Sequence, residues 1–396
     1  MGRDPTRVIV HVVHSLQGGG TERTLVGLLR SFDAAGFRHV VVTLRAAGDL
    51  AGRLPDHVAV YPLEAVGRAR HTPLLLARLL RRTDACLVHA RNTGCWWDAT
   101  LACAMARRAR LILGFHGMES AGGFSRRQRR WARLGLRVGG RFTTVSEAGR
   151  EQLQCQVGVP AERIEVLPNG VDTARFRPCD PAVRRRVRRN LGFDDDAFVV
   201  GCVGSLTPVK QPETLIRAAA LLRATCPGLR LLLVGDGTML GSLQRLTRAC
   251  GVEDRVRFTG WREDVARLLG SMDAYVCASA SEGMSNALLE AMAVGLPVVT
   301  TRVGDHDRIV RDHRDGLVLS VDTPECLGDV LARWAVQPSM CGRFGVSARR
   351  RAAQFSFDQT VRRYEAFYAR RLKIEKRASP HPAMPPGGVW TRPVTP

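Results

Sequence analysis

Short apolar runs rich in β-branched residues recur along the chain, and between them apolar positions return every three or four residues. The runs are VIVHVV (8–13), HVVVTL (39–44), CLVHA (86–90), LILGF (111–115) and FTTVS (142–146), then FVVGCVG (198–204), LRLLLVG (229–235), VRFTG (256–260), AYVCAS (274–279) and PVVTT (297–301). Helical spacing fills TERTLVGLLRSF, TPLLLARLL, PETLIRAAALLRA and NALLEAMAVG. Strands alternating with amphipathic helices predict parallel sheets with helices on both faces, and two such series predict two doubly wound α/β domains. The break belongs near PNGVDTARFRPCDP, whose prolines and glycine precede the charged run RRRVRR, read as a solvated helix. Domains are therefore expected at 1–177 and 178–355. Phe357, Val361, Tyr364, Phe367 and Tyr368 give 356–375 the face of a helix that packs on something apolar, and Pro- and Gly-rich 376–396 is expected to be disordered.

Composition sharpens this picture only in part. The 396 residues, 45% of them hydrophobic, suffice for two cores. Lys+Arg 59 against Asp+Glu 37 gives +22, which suits nucleic acid, anionic lipid or a phosphate-bearing substrate. Lys210, Lys373 and Lys376 are the only lysines, so arginine supplies the rest, a skew that GC-rich codons produce without selection for binding. Eleven cysteines without a C-x-x-C pair suggest reduced thiols and a cytoplasmic protein. No apolar run approaches the roughly 20 residues of a membrane span, and Met1, Gly2 and Thr6 match only a loose, commonly accidental lipidation pattern.

Candidate chemistry gathers at turns that precede helices. In EGMSNALLEAMAVGLPVV, Ser285 or Asn286 caps a helix start whose free N–H groups would seat a phosphate or a sugar hydroxyl. Glu282 and Glu290, eight positions apart, can face one cleft. They could serve as a glycosidase pair or as acceptors for ligand hydroxyls, and spacing alone leaves that open. Gly204 ends a strand and Lys210 stands just before the next helix, within reach of a diphosphate. Gly18, Gly19 and Gly20 form a glycine turn before a helix, but GGGTER is not G-x-G-x-x-G, and HVVVTL leads to Arg45 rather than an acid, so a nicotinamide site is excluded.

Together these segments resemble glycosyltransferase family 4, the retaining nucleotide-sugar transferases of the GT-B fold. The similarity runs to about residue 370. Its most specific part is Glu282 to Pro297, supported in order by GGGTE, FHG, VSE, PNGVD and VGDG. The resemblance implies two facing Rossmann-like domains, the first for the acceptor and the second for the donor, with the C-terminal helix crossing back. It implies that Glu290 holds the ribose hydroxyls and Lys210 the diphosphate, near Ser205. Glu282 with Gly283, Met284, Ser285 and Asn286 would take the donor sugar and distal phosphate, and Gly18 to Gly20 would close over it. Gly260, Trp261 and Arg262 would contact the nucleobase. His116 in FHG would reach the reacting centre, and His89, Arg91 and Asn92 the acceptor. No metal or other cofactor is implied, because the leaving diphosphate can itself accept the acceptor's proton.

Two departures stand out. Ser205 occupies the place where the family commonly carries an arginine that partners the lysine, and Arg308 stands where an acid is frequent. The partners implied are a nucleotide sugar and a glycan or lipid-linked acceptor, as in bacterial exopolysaccharide and lipopolysaccharide synthesis. Arginines 126, 127, 129, 130 and 133 around Trp131 suit peripheral contact with anionic lipid at the inner face of the membrane. Two other readings share features with this one. A sugar-nucleotide 2-epimerase would have the same architecture, whereas a nucleic-acid-binding protein would leave the sparse aromatics, 6% of residues, without stacking platforms. Nucleic acid is not an expected partner.

Overall fold

The computed structural model describes residues 7–32, 36–64, 71–117, 123–320 and 323–373. The residues of the lipidation pattern and the 376–396 tail lie outside the described residues. Seven strands form the first sheet: β1 (Arg7–Val13), β2 (Phe37–Thr43), β3 (Ala59–Pro62), β4 (Ala85–Ala90), β5 (Arg110–Phe115), β6 (Arg141–Thr144) and β7 (Ile164–Val166). Their order is β3-β2-β1-β4-β5-β6-β7, every pair parallel. The second sheet holds β8 (Phe198–Val203), β9 (Leu229–Val234), β10 (Val256–Phe258), β11 (Ala274–Cys277), β12 (Val298–Thr301) and β13 (Gly316–Leu319), in the order β10-β9-β8-β11-β12-β13, again all parallel. This is the expected GT-B arrangement of two doubly wound α/β sheets.

Strand order reverses beside β1 in one sheet and beside β8 in the other. Crevices at such switch points lie beyond the carboxyl ends of the strands and are where open α/β sheets hold ligands. The loops after β1 and β4, and after β8 and β11, are therefore the ones placed for chemistry.

Parallel strands covered on both faces read as continuous apolar runs, and β1 shows why. Its Val8, Val10 and Val12 enter one core layer while Ile9 and Val13 enter the other. The helix Phe357–Leu372, capped by Ser356, supplies Val361, Tyr364, Phe367, Tyr368 and Leu372 to that second layer, against Ile9, Leu25 and Val41. It thus packs on an apolar layer, as its periodicity predicts, and that layer belongs to the first sheet, as the resemblance implies. Backbone bonds tie its start to the crossing chain: Val171 N donates to Phe355 O at 2.9 Å and Phe357 N to Val171 O at 3.0 Å.

The reading of RRRVRR as a solvated helix fits Arg185, Arg186 and Arg189, which are exposed, and is corrected at Arg188 and Arg184. Within the helix Pro181–Asn190, Arg188 is 2% exposed and donates to the carbonyls of Ser271, Asp195 and Ala197, while Arg184 and Arg188 share the two oxygens of Asp273 at 2.5 and 2.6 Å. A guanidinium has five donors, and orphaned carbonyls at strand ends can satisfy them when the charge is also paired.

Candidate active site

On the second domain, the ends of β8 and β11 open into a cavity bordered by Gly204, Ser205, Lys210, Ser279, Glu282 and Ser285. Lys210 ends the short turn Pro208–Lys210, and its ammonium is ion-paired with the Glu282 carboxylate. Ser279 Oγ donates to the same carboxylate oxygen at 3.2 Å. Two helices begin beside the cavity, Pro212–Leu221 and Asn286–Val294, the latter capped by Ser285, whose oxygen accepts from Leu288 N at 3.4 Å. Their free N–H groups and the ammonium give the space a positive field suited to an anion. Among the described residues no arginine borders it, and Lys210 is the cation in its lining.

Glu290 lies one turn into the second of these helices and is largely buried in the cleft. Burial pushes its carboxyl up to about 7, against the opposing pull of the Arg175 and Arg23 guanidiniums. Arg23 belongs to the first domain and also lies over the ring of Trp261, 5.6 Å from its centroid. Gly260 adopts φ +65°, which favours glycine, and Trp261 is 52% exposed beside it. Arg262 turns onto Asp264, with contacts of 2.7 and 2.8 Å.

The first domain meets this surface closely. Gly18 takes φ +104° ahead of the helix Gly20–Ser31, and a Cβ on Gly20 would stand 3.6 Å from Asn286 Nδ2. That Nδ2 donates to Thr24 Oγ1 at 3.3 Å, so the glycine turn and the start of the helix Asn286–Val294 face each other. At the end of β5, Gly117 has φ +115°, and a Cβ there would fall 2.7 Å from Gly283 N. Only glycine allows that approach. It brings His116 beside the Glu282–Gly283 backbone. The His116 Nε2 is buried without a hydrogen-bond partner; burial and then the Arg91 charge hold its pKa down at about 3, so the ring is neutral at pH 7.

His89 must be corrected as an acceptor contact. Its ring is fully enclosed, with Nδ1 2.9 Å from Tyr368 Oη of the C-terminal helix and Nε2 3.0 Å from Thr143 Oγ1 of β6, so both nitrogens serve internal packing. Arg91 is likewise 1% exposed and lies over Tyr364 at 5.0 Å, so it acts behind the cleft wall, on the charge state of His116, rather than at the surface. Asn92 is half-buried at the start of the turn Thr93–Cys95, with its Oδ1 enclosed and without a hydrogen-bond partner. Met284 has a buried side chain, so its backbone, not its thioether, belongs to the loop that a ligand would meet.

Two residues outside the sequence-predicted set hold the halves of the site. Asn169 Nδ2 donates to Met284 O at 3.0 Å and Asn169 N to Met284 Sδ at 3.2 Å, fixing the Glu282–Ser285 loop from the crossing chain. Asp305, in the second domain, accepts from Glu147 N at 2.8 Å and Ala148 N at 3.0 Å, sitting on the start of the first-domain helix Glu147–Gln152. Both stand in segments noticed in sequence, PNGVD and GDHD, but their partners are more than a hundred positions away. Arg308 reaches toward Glu151 of the first domain at 4.0 Å instead of toward the cavity.

Two family models match, glycosyltransferase family 4 over residues 18–175 and glycosyl transferases group 1 over 197–335. EpsD of Bacillus subtilis, named a glycosyltransferase, is 31% identical over 208 residues, covering 52% of this chain and 55% of its own. A D-inositol 3-phosphate glycosyltransferase of Actinosynnema mirum is 34% identical over 253 residues, 59% of this chain and 60% of that protein. The chain thus aligns with little more than half the length of these relatives. The crystal structure of Anabaena HepE with UDP-glucose superposes with a TM-score of 0.82 over 92% of this chain and 99% of the other, at 24% identity.

Proposed function

The chain belongs to glycosyltransferase family 4, and from that premise we propose that it moves a sugar, with retention at the anomeric carbon, from a nucleotide diphosphate to a glycan or lipid-linked acceptor in cell-surface polysaccharide synthesis. One observation carries the reading: the Lys210–Glu282 cavity is flanked by two helix starts, and beside it the first domain's Gly117 meets Gly283 and its Gly20 meets Asn286. A diphosphate seated there would displace Glu282 from Lys210 and free that carboxylate to accept donor-sugar hydroxyls. Negative charge that grows on the leaving diphosphate as the glycosidic bond breaks would then meet the ammonium and fixed N–H dipoles, which need no reorganisation during reaction. The released oxyanion on the same face takes the acceptor's proton, so no enzyme nucleophile and no metal is required. Ionised Glu290 would accept from the two ribose hydroxyls. Neutral His116 has a free ring nitrogen for a hydrogen bond to the sugar. HepE, solved with UDP-glucose, supports a uridine donor as the first one to try.

No described helix is long and apolar enough to cross a membrane. In the helix Arg126–Arg137, Trp131 packs against Trp97 with centroids 4.1 Å apart and planes tilted by 39°, so contact with an anionic bilayer at the inner face would come through the exposed arginines, not an inserted ring. Retention of the protein in the supernatant with anionic liposomes at physiological salt would exclude such contact.

Transfer is tested by incubating nucleotide sugars with and without acceptor and following the anomeric signal by NMR. Product with the donor's anomeric configuration, only when acceptor is present, is expected. An epimer formed without acceptor would mean the isomerase reading, and an inverted product would exclude this mechanism. Full activity in EDTA is the expected result for metal dependence.

A further inference from the structure

The donor cavity lies at the carboxyl edges of the strands; the opposite, amino edge of the first sheet holds a second cavity that transfer leaves unused. Arg141 opens β6, Arg163 directly precedes β7, and Arg370 and Arg371 end the helix Phe357–Leu372, so four guanidiniums from three elements converge over a floor of Phe142 and Phe367. Glu165 is the carboxylate among them and is held by Arg370 at 2.6 Å. Four cations less one anion leave a local surplus of +3.

The surroundings do not cancel that surplus. A helix C-terminus normally offers negative carbonyl ends to nearby cations. Here the carbonyls of Arg371 and Leu372 are already taken, by Arg110 and Arg7. Arg141 Nη1 donates to Glu162 O at 2.5 Å and Arg163 Nη1 to Gly139 O at 3.5 Å, contacts that orient the two forks without neutralising them. Burial and the charges of Arg141, Arg110 and Arg370 push the Arg371 guanidinium downward in pKa, as expected where like charges crowd. Arginine forks suit phosphate oxygens bidentately, and several of them suit more than one phosphate charge. Phe142 and Phe367 are buried, so no ring is offered for stacking a nucleic-acid base.

We propose that this cavity binds a multiply charged phosphate group, a diphosphate or a phosphate ester, at a site separate from the donor cleft. The ligand is either free or carried on a lipid headgroup. It can be tested on the full chain by modifying arginines with phenylglyoxal and mapping them by peptide mass spectrometry. Probes are inorganic pyrophosphate, phosphatidate vesicles and phosphatidylcholine vesicles. Pyrophosphate at about ten times its dissociation constant should slow modification of Arg141, Arg163 and Arg371 about tenfold by mass action, with Arg126 and Arg127 unchanged. The protection should survive in Lys210→Ala, whose donor cavity has lost its cation, and should fall in Arg163→Gln. Protection of the same residues by phosphatidate alone would assign the phosphate to a headgroup. No protection by either, or equal protection of Arg126 and Arg127, would overturn the proposal.

Discussion

Glu290 shows how a carboxylate beside the cleft is held at a cost to the fold. Its native pKa of about 7 exceeds the ordinary 4.5 because burial opposes the charge. Between those values the unfolded chain releases the proton while the native state keeps it. Stability from this group is therefore complete below 4.5 and declines as pH rises to 7, by on the order of 3 kcal/mol. Glu290→Gln does not titrate, so its denaturation midpoint should climb relative to wild type across that window and then run parallel, while nucleotide binding is lost. A constant offset from pH 4 to 8 would contradict the burial argument. Lys210 is the complementary residue. Lys210→Ala should lower kcat on the order of 100- to 1,000-fold, as the loss of a preorganised partner of developing charge does elsewhere, with Lys210→Arg restoring part of it; an unchanged kcat would remove Lys210 from the mechanism.

At the scale of elements, what the sequence revealed follows from whether the informative pattern is local. The ten apolar runs correspond to ten strands, because a strand covered on both faces must be apolar throughout. β3, β7 and β13 were not legible: all three are edge strands, β3 with mostly exposed positions, β7 interrupted by Glu165, and β13 opening on Gly316 straight after the polar turn Asp312–Asp315. Among site segments, the glycine turns, Lys210 and the Glu282–Glu290 helix were legible as turn-then-helix signatures. The burial of His89 was not, because its partners Tyr368 and Thr143 come from distant elements. The same holds for Asn169, which acts on the donor-side loop from the crossing chain. Asn169→Ala leaves Met284 O without its donor, a loss of about 1–3 kcal/mol if the carbonyl stays buried. It should raise the donor KM with acceptor KM unchanged. A fall in melting temperature with normal donor KM would make Asn169 structural only.

For the whole molecule, Asp305 ties the second domain to the first-domain helix Glu147–Gln152, and the chain crosses between the lobes at Val171 and Phe355–Phe357. Asp305→Ala should loosen the empty protein, read as a larger radius of gyration in solution scattering, and a saturating donor should bring the value back toward wild type. Equal radii with and without donor in both proteins would mean rigid lobes. The central claim, that a nucleotide diphosphate is cradled where these lobes meet, is tested most directly by calorimetric titration of UDP, GDP and ADP into wild type, Glu290→Ala and Lys210→Ala. The account predicts that one nucleotide binds wild type at a single cleft site, that Glu290→Ala abolishes the heat, and that Lys210→Ala weakens diphosphate far more than the matching nucleoside. Equal affinity of all three proteins for every nucleotide would contradict it.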